Sequence, residues 1–118
     1  MELTENLGHG PELDSSLKLE LVDIDNRSIT IDSDDQIELI VKALSSETRR
    51  LILHHIQIKQ EGMDVSNIAA NLKMTEANIS AQIKKLEEAG LIYCDYCSGN
   101  HGVRKISKLK YNQLNIKF

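Results

Sequence analysis

Two groups of side chains in this 118-residue chain have types and spacings suited to chemistry. The first is Cys94-x-x-Cys97-x-x-x-His101. Two thiolates and an imidazole at this spacing suit a transition metal such as zinc, and a nearby thiol pair can also act as a redox sensor. Three ligands need a fourth, from Asp95, His54, His55 or a partner subunit. The alternation of a strand, however, sends Cys94 and its neighbours to diverging sides, so no metal and no cofactor is expected, and unremarkable surface residues are the default reading. The second group is polar and basic: Thr75, Glu76, Ala77, Asn78, Ser80, Ala81, Gln82, Lys84 and Lys85, followed by His101, Arg104 and Lys105. Amides, hydroxyls and small residues with lysines behind them are what a helix needs to enter the ~12 Å major groove of a duplex. An arginine at the root of a β-turn suits a narrow minor groove. Lys84, Lys85, Lys108 and Lys110 are expected to meet phosphates.

The elements that must position these residues can be read from periodicity. Ile79, Ile83 and Leu86 form a narrow apolar seam at helical spacing, Thr75 is the expected N-cap, and Gly90 ends the helix. Ala77 and Ala81 lie opposite the seam and can touch a thymine methyl but cannot make a bidentate hydrogen bond, so modest base discrimination is expected from each copy. Leu91 to Tyr96 then reads as a strand, Ser98 to Gly102 as a turn and Val103 to Leu109 as the returning strand. Upstream, Ser66 is the expected cap of a short helix, Asn67 to Leu72. It is joined to the next helix so tightly that the two must cross steeply, as in a helix-turn-helix. Two more helices precede it. One opens at Ser33-Asp34-Asp35-Gln36, a capping box, and carries Ile37, Ile40, Val41 and Leu44. The other opens at Ser45-Ser46-Glu47, with Thr48, Leu51, Ile52, His55 and Ile56 as its stripe, and is broken at Glu61-Gly62.

Around this unit, Leu17 to Ile24 and Ser28 to Ile31 alternate as strands about an Asp25-Asn26-Arg27 turn. A hairpin of this kind needs a further partner to be stable. Tyr111, Leu114, Ile116 and Phe118 suggest a last strand that can supply it. The expected organisation is a flexible tail over 1–15, a β-hairpin extension over 16–32, a winged-helix domain over 33–110 and a C-terminal strand over 111–118. The fold class is α+β: a winged helix-turn-helix of four helices and a β-wing, with the added hairpin and strand.

Composition bounds the rest. There is no Trp, one Phe and three Tyr, so Ile, Leu, Val and Ala must build the core. No apolar run approaches the ~20 residues of a membrane span. The N-terminal residues lack the pattern of a secretion signal, so a cytoplasmic location, free thiols and no membrane partner are expected. The net charge of −4 hides an asymmetry: residues 1–48 hold twelve acids and three bases, residues 49–118 six acids and eleven bases. A basic half turned toward a polyanion and an acidic half turned away fit this division. No nucleophile–base pair, glycine-rich phosphate loop or paired acid motif is present, so an enzyme is not expected.

Four blocks of sequence, in order, resemble the ArsR-like (arsenic-repressor) winged-helix regulators, especially small archaeal and Gram-positive members. They are Lys42 to Arg49, Val65 to Ala69, Asn78 to Ile92, and the turn Gly99-Asn100-His101-Gly102; the resemblance spans about residues 37–109. It implies a homodimeric, sequence-specific regulator of transcription that binds double-stranded DNA, often a repressor released by a small effector. The helix over 75–89 would enter the major groove and the wing over 94–105 the minor groove. Ile37, Ile40 and Leu44 on the first helix, together with the terminal strands, are the expected dimer surface. Three departures stand out. The third helix carries no cysteines of the kind found in metal-sensing members, the chain reads as ending in a strand where others place ligands on a helix, and Arg50 stands where an apolar residue is usual. The alternatives are a winged-helix module that binds protein and not DNA, and a metal- or redox-responsive regulator using Cys94, Cys97 and His101.

Overall fold

The computed structural model describes residues 17–99 and 102–118. The expected tail over 1–15, Asn100 and His101 lie outside the described residues. Ten elements follow in order: β1 (Lys18–Val22), β2 (Ser28–Ile31), α1 (Asp34–Leu44), α2 (Glu47–Ile58), β3 (Met63–Asp64), α3 (Val65–Leu72), α4 (Glu76–Glu88), β4 (Ile92–Gly99), β5 (Gly102–Leu109) and β6 (Gln113–Lys117). The class is α+β, a winged helix-turn-helix with an additional sheet.

That sheet has strand order β2-β1-β6, antiparallel throughout. The turn between β1 and β2 is built by Asp23, whose Oδ1 accepts from the N–H groups of Asp25 and Arg27, each at 2.9 Å. Asn26 takes the left-handed conformation (φ 63°) that asparagine tolerates better than most residues. The final strand supplies the partner that a lone hairpin needs. Leu21 pairs with Leu114 and Leu19 with Ile116, so the apolar positions of the two chain ends share one face. On the other face Glu20 accepts from Asn115 at 3.1 Å and pairs with Lys117 at 3.8 Å.

The second sheet, β3-β5-β4, is the wing and its root. Its long hairpin runs in register from Ile92 opposite Leu109 to Gly99 opposite Gly102. The two-residue strand β3 has no apolar alternation to announce it, and it exists because Gly62 lets the backbone come close. At φ +90°, a Cβ on Gly62 would stand 2.7 Å from the Ser107 carbonyl oxygen and 2.7 Å from Ile106 Cγ2.

The core is aliphatic. Leu19, Ile40, Ile52, Ile56, Ile68, Ile79, Ile83, Leu86 and Ile92 are fully buried. The helix caps explain where each helix begins. The side chains of Ser33, Ser46 and Thr75 accept from the N–H groups of Gln36, Arg49 and Asn78 respectively. Helix α3 differs from expectation: its cap is Asp64, which accepts from Asn67 N–H at 2.9 Å, and the helix starts at Val65 and not after Ser66.

Helix α2 is also turned relative to its expected stripe. Arg49, Ile52 and Ile56 are its buried residues, Leu53 packs against the core, and Leu51 faces outward. The cause is Arg49. The last carbonyls of α1 have no partner within their own helix, and the Arg49 guanidinium turns inward to donate to Ala43 O at 2.7 Å and Lys42 O at 2.9 Å. Arg50, on the outside, donates to Leu44 O at 2.9 Å.

Candidate nucleic-acid interface

Helix α4 is held by the seam that its spacing requires. Ile79, Ile83 and Leu86 are 0% exposed, packed beneath a helix whose opposite side, Ala77, Ala81, Lys84, Lys85 and Glu88, is open to solvent. Glu76, Asn78 and Ser80 are exposed on the flanks, and Gln82 is half-buried. Among the described residues, no strand or helix of the protein covers this outer side. Thr75 is exposed, and its hydroxyl is occupied as the cap of the helix, at 3.1 Å from Asn78 N–H.

The steep crossing into α4 depends on Lys73, which ends α3 in the left-handed conformation at φ 56°. Its N–H reaches Ala70 O at 3.3 Å, and Met74 N–H reaches Ala69 O at 3.0 Å, so the freed carbonyls of α3 are satisfied within the turn. At the far end Gly90 (φ 78°) reverses the chain, and Leu91 N–H returns to Leu86 O at 3.1 Å. The strand that begins the wing is thereby fixed to the end of the reading helix.

The wing does not gather its bases into one cluster. Arg104 and Lys105 lie on opposite faces of β5, as alternation demands. Arg104 donates through Nε and Nη2 to the same Asp64 oxygen, at 3.0 and 2.6 Å. The expected minor-groove arginine is thus tied to the cap of α3 in the free protein. Burial by itself would raise the Asp64 carboxyl, but the Asn67 N–H and the guanidinium outweigh it and hold the group below its ordinary value of 3.8. Lys105 turns back toward α4 and pairs with Glu87 at 3.6 Å. Lys108 pairs with Asp95 at 3.0 Å, and that contact raises its pKa. Among the described residues Lys84 and Lys85 take part in no ion pair, so their charge remains available to a polyanion.

The cysteines do not converge. Cys94 stands opposite Ser107 and Cys97 opposite Arg104, three positions apart on one strand and therefore on opposite faces. Cys94 is half-buried, with its sulfur 3.7 Å from Ser107 Oγ, and Cys97 is exposed. Burial, reinforced by the negative charge of Glu87, pushes the Cys94 thiol up, which disfavours the reactive thiolate. Among the described residues no group of three His, Cys, Asp or Glu side chains is arranged to hold a metal; His101 lies outside them.

The expected dimer residues require correction. Ile37 and Ile40 are buried, and Leu44 is packed against the same core, because the stripe of α1 faces the protein's own interior. The outer face of α1 instead presents Leu39 and Val41, 50% and 49% exposed. On the terminal sheet Ile29, Ile116 and Phe118 are likewise exposed. Arg49 and Asp64 are the residues that sequence reasoning passed over. The signal for Asp64 was an acidic residue just before a helical run; for Arg49 no local signal existed.

Residues 46–93, from the cap of α2 to the start of β4, match the family model described as bacterial regulatory protein, arsR family. The crystal structure of an ArsR family transcriptional regulator is similar at 27% identity, with 64% of this chain and 76% of that chain covered and a TM-score of 0.53. The solution structure of a homodimeric winged helix-turn-helix DNA-binding domain from Mycobacterium bovis, a possible ArsR-family transcriptional regulator, matches at 25% identity, covering 69% of this chain and 75% of that one, with a TM-score of 0.55. The AntR antimony-specific transcriptional repressor shares the fold at 19% identity, 88% and 80% coverage and a TM-score of 0.52. No curated protein matches the sequence.

Proposed function

We propose that this chain, similar over residues 46–93 to the bacterial arsR regulatory family, is a winged helix-turn-helix transcriptional regulator that binds duplex DNA as a homodimer and acts as a repressor. Helix α4 enters the major groove, with Glu76, Ala77, Asn78, Ser80 and Ala81 toward the bases and Lys84 and Lys85 toward phosphates. The wing follows the backbone into the adjacent minor groove, where Arg104 exchanges Asp64 for the duplex. The observation that carries this reading is the open outer side of α4 above a fully buried seam. A helix in that state leaves its lysines free to exchange water for phosphate. The reading is of a binding protein in the cytoplasm; among the described residues no helix is long and apolar enough to cross a membrane.

Two reading helices must stand about 34 Å apart to meet successive major grooves. The exposed Leu39 and Val41 of α1, with Ile116 and Phe118 of the terminal sheet, form the dimer contact in this proposal. The homodimeric state of the Mycobacterium bovis domain supports a dimer, whichever residues form its contact. A small effector belongs to the same proposal, and a cavity of about 270 Å³ between the terminal sheet and α2, lined by Leu21, Leu44, Leu53, Leu91, Leu109 and Tyr111, offers it apolar space.

The test is binding to random-sequence duplex across a salt series, followed by selection of preferred sites. A steep log–log slope and an enriched palindromic site are expected. Absence of binding at low salt would assign the fold to protein recognition.

A further inference from the structure

Arg49 is nine-tenths buried, yet its influence reaches the exposed flank of α4. Its guanidinium has five N–H donors and no acceptor. Two of its nitrogens serve the end of α1, at Ala43 O and Lys42 O. The third, Nη1, donates to Gln82 Oε1 at 2.7 Å. Gln82 is therefore not free to rotate its amide: the oxygen must face Arg49 and the NH₂ must face away. That NH₂ donates to Asn78 Oδ1 at 3.1 Å, one turn earlier on the helix. Asn78 in consequence has its oxygen held toward Gln82 and its own NH₂ on the other side of the amide. There its neighbour in the free protein is Met74 Sδ at 3.7 Å, a weak acceptor that a better one displaces.

We propose that Arg49 sets base specificity as a positioning residue, by fixing the amides of Gln82 and Asn78 so that Asn78 offers its NH₂, and not its oxygen, to a base edge in the major groove. The inference rests on the reading of α4 as the DNA-contacting helix and names what one position of that helix selects. An asparagine with both amide atoms free pairs with adenine, donating to N7 and accepting from N6. With its oxygen held toward Gln82 and one of its two lone pairs used there, the Asn78 amide is not placed to accept from N6 while donating to N7, and its NH₂ is the group it offers. Guanine offers N7 and O6, both acceptors, and is the base that the offered NH₂ prefers; cytosine, which presents an N4 donor, is disfavoured on the contacted strand.

Two substitutions reverse this polarity by different routes. In Gln82→Glu one carboxylate oxygen keeps the Arg49 contact, and the other accepts from Asn78, whose amide turns over and exposes its oxygen. In Asn78→Asp the Gln82 contact is kept and an oxygen replaces the NH₂. The experiment is selection of bound duplexes from a random library by the wild type and both variants, with thermal melting to establish that each is folded. Asn78 is exposed, so Asn78→Asp remains folded whatever the fate of the other variant. Wild type should enrich guanine at one position per half-site, and both variants should lose that preference by roughly tenfold or more in favour of a base with an exposed amino donor. A wild type that selects a site which both variants select with unchanged preferences would overturn the relay and leave the DNA-binding reading intact. Uniform weakening across all sequences would overturn it too, placing Asn78 on a phosphate. A wild type that retains no duplex would remove the functional reading and this inference with it.

Discussion

Lys84 and Lys85 project from the open side of α4, and among the described residues neither is engaged in an ion pair, whereas Lys105 and Lys108 are held by Glu87 and Asp95. Replacing both with Ala removes two phosphate contacts from each protomer at little cost to the fold, since exposed substitutions of this kind change stability by about 0.5 kcal/mol or less. Each phosphate neutralised on a B-form duplex contributes about 0.9 to the slope of log K against log salt. A dimer that engages all four lysines should therefore lose about 3.6 from that slope, and a single engaged protomer about 1.8. Fluorescence anisotropy with a labelled duplex, at salt concentrations from about 50 to 200 mM, resolves the two values because the affinity itself changes by orders of magnitude over that range. The double variant must give the wild-type circular dichroism spectrum. A slope unchanged in a folded variant would refute the assignment of this helix face to DNA.

The cap of α3 gives a pH prediction. Asp64 is held below its ordinary carboxyl value, so its contribution to stability is complete above about 3.8 and is lost as pH falls through the lower folded value. Asp64→Asn keeps a capping oxygen but not the charge, and should flatten the acid limb of a melting-temperature profile. Asp64→Ala should cost about 1 kcal/mol more, from the lost cap. Lys73→Gly removes the strain of a side chain at φ 56° and should stabilise the fold by roughly 0.5–1 kcal/mol in urea titration; a loss of stability would contradict the left-handed turn. Gly62→Ala should destabilise by more than about 1 kcal/mol in the same assay, because its Cβ meets the Ser107 carbonyl at 2.7 Å and its φ of +90° is strained for an L residue.

The parts of the fold that local chemistry determines were legible in the sequence. Ser33, Ser46 and Thr75 marked three helix starts, and the spacing of Ile79, Ile83 and Leu86 identified the buried seam of α4 by itself. The pairing of the last strand with the hairpin also followed from alternation. What sequence reading missed depends on contacts distant in the chain. Arg49 looks like a surface residue until the last carbonyls of α1 are brought over it. The stripe of α1 has the same pattern whether it meets its own core or a second copy, and only the packed structure assigns Ile37 and Ile40 to the former. Arg104 and Lys105 are adjacent in sequence but diverge across a strand, so a basic run did not become a basic cluster.

The terminal sheet carries a consequence for how the protein is made. Its central strand, β1, is translated about ninety residues before one of its two partners, β6. Until then Lys18–Val22 has one open edge, and the growing polypeptide must keep that edge from recruiting strangers. The wing and the four helices are local enough to settle first, so closure of the sheet around β1 should follow them.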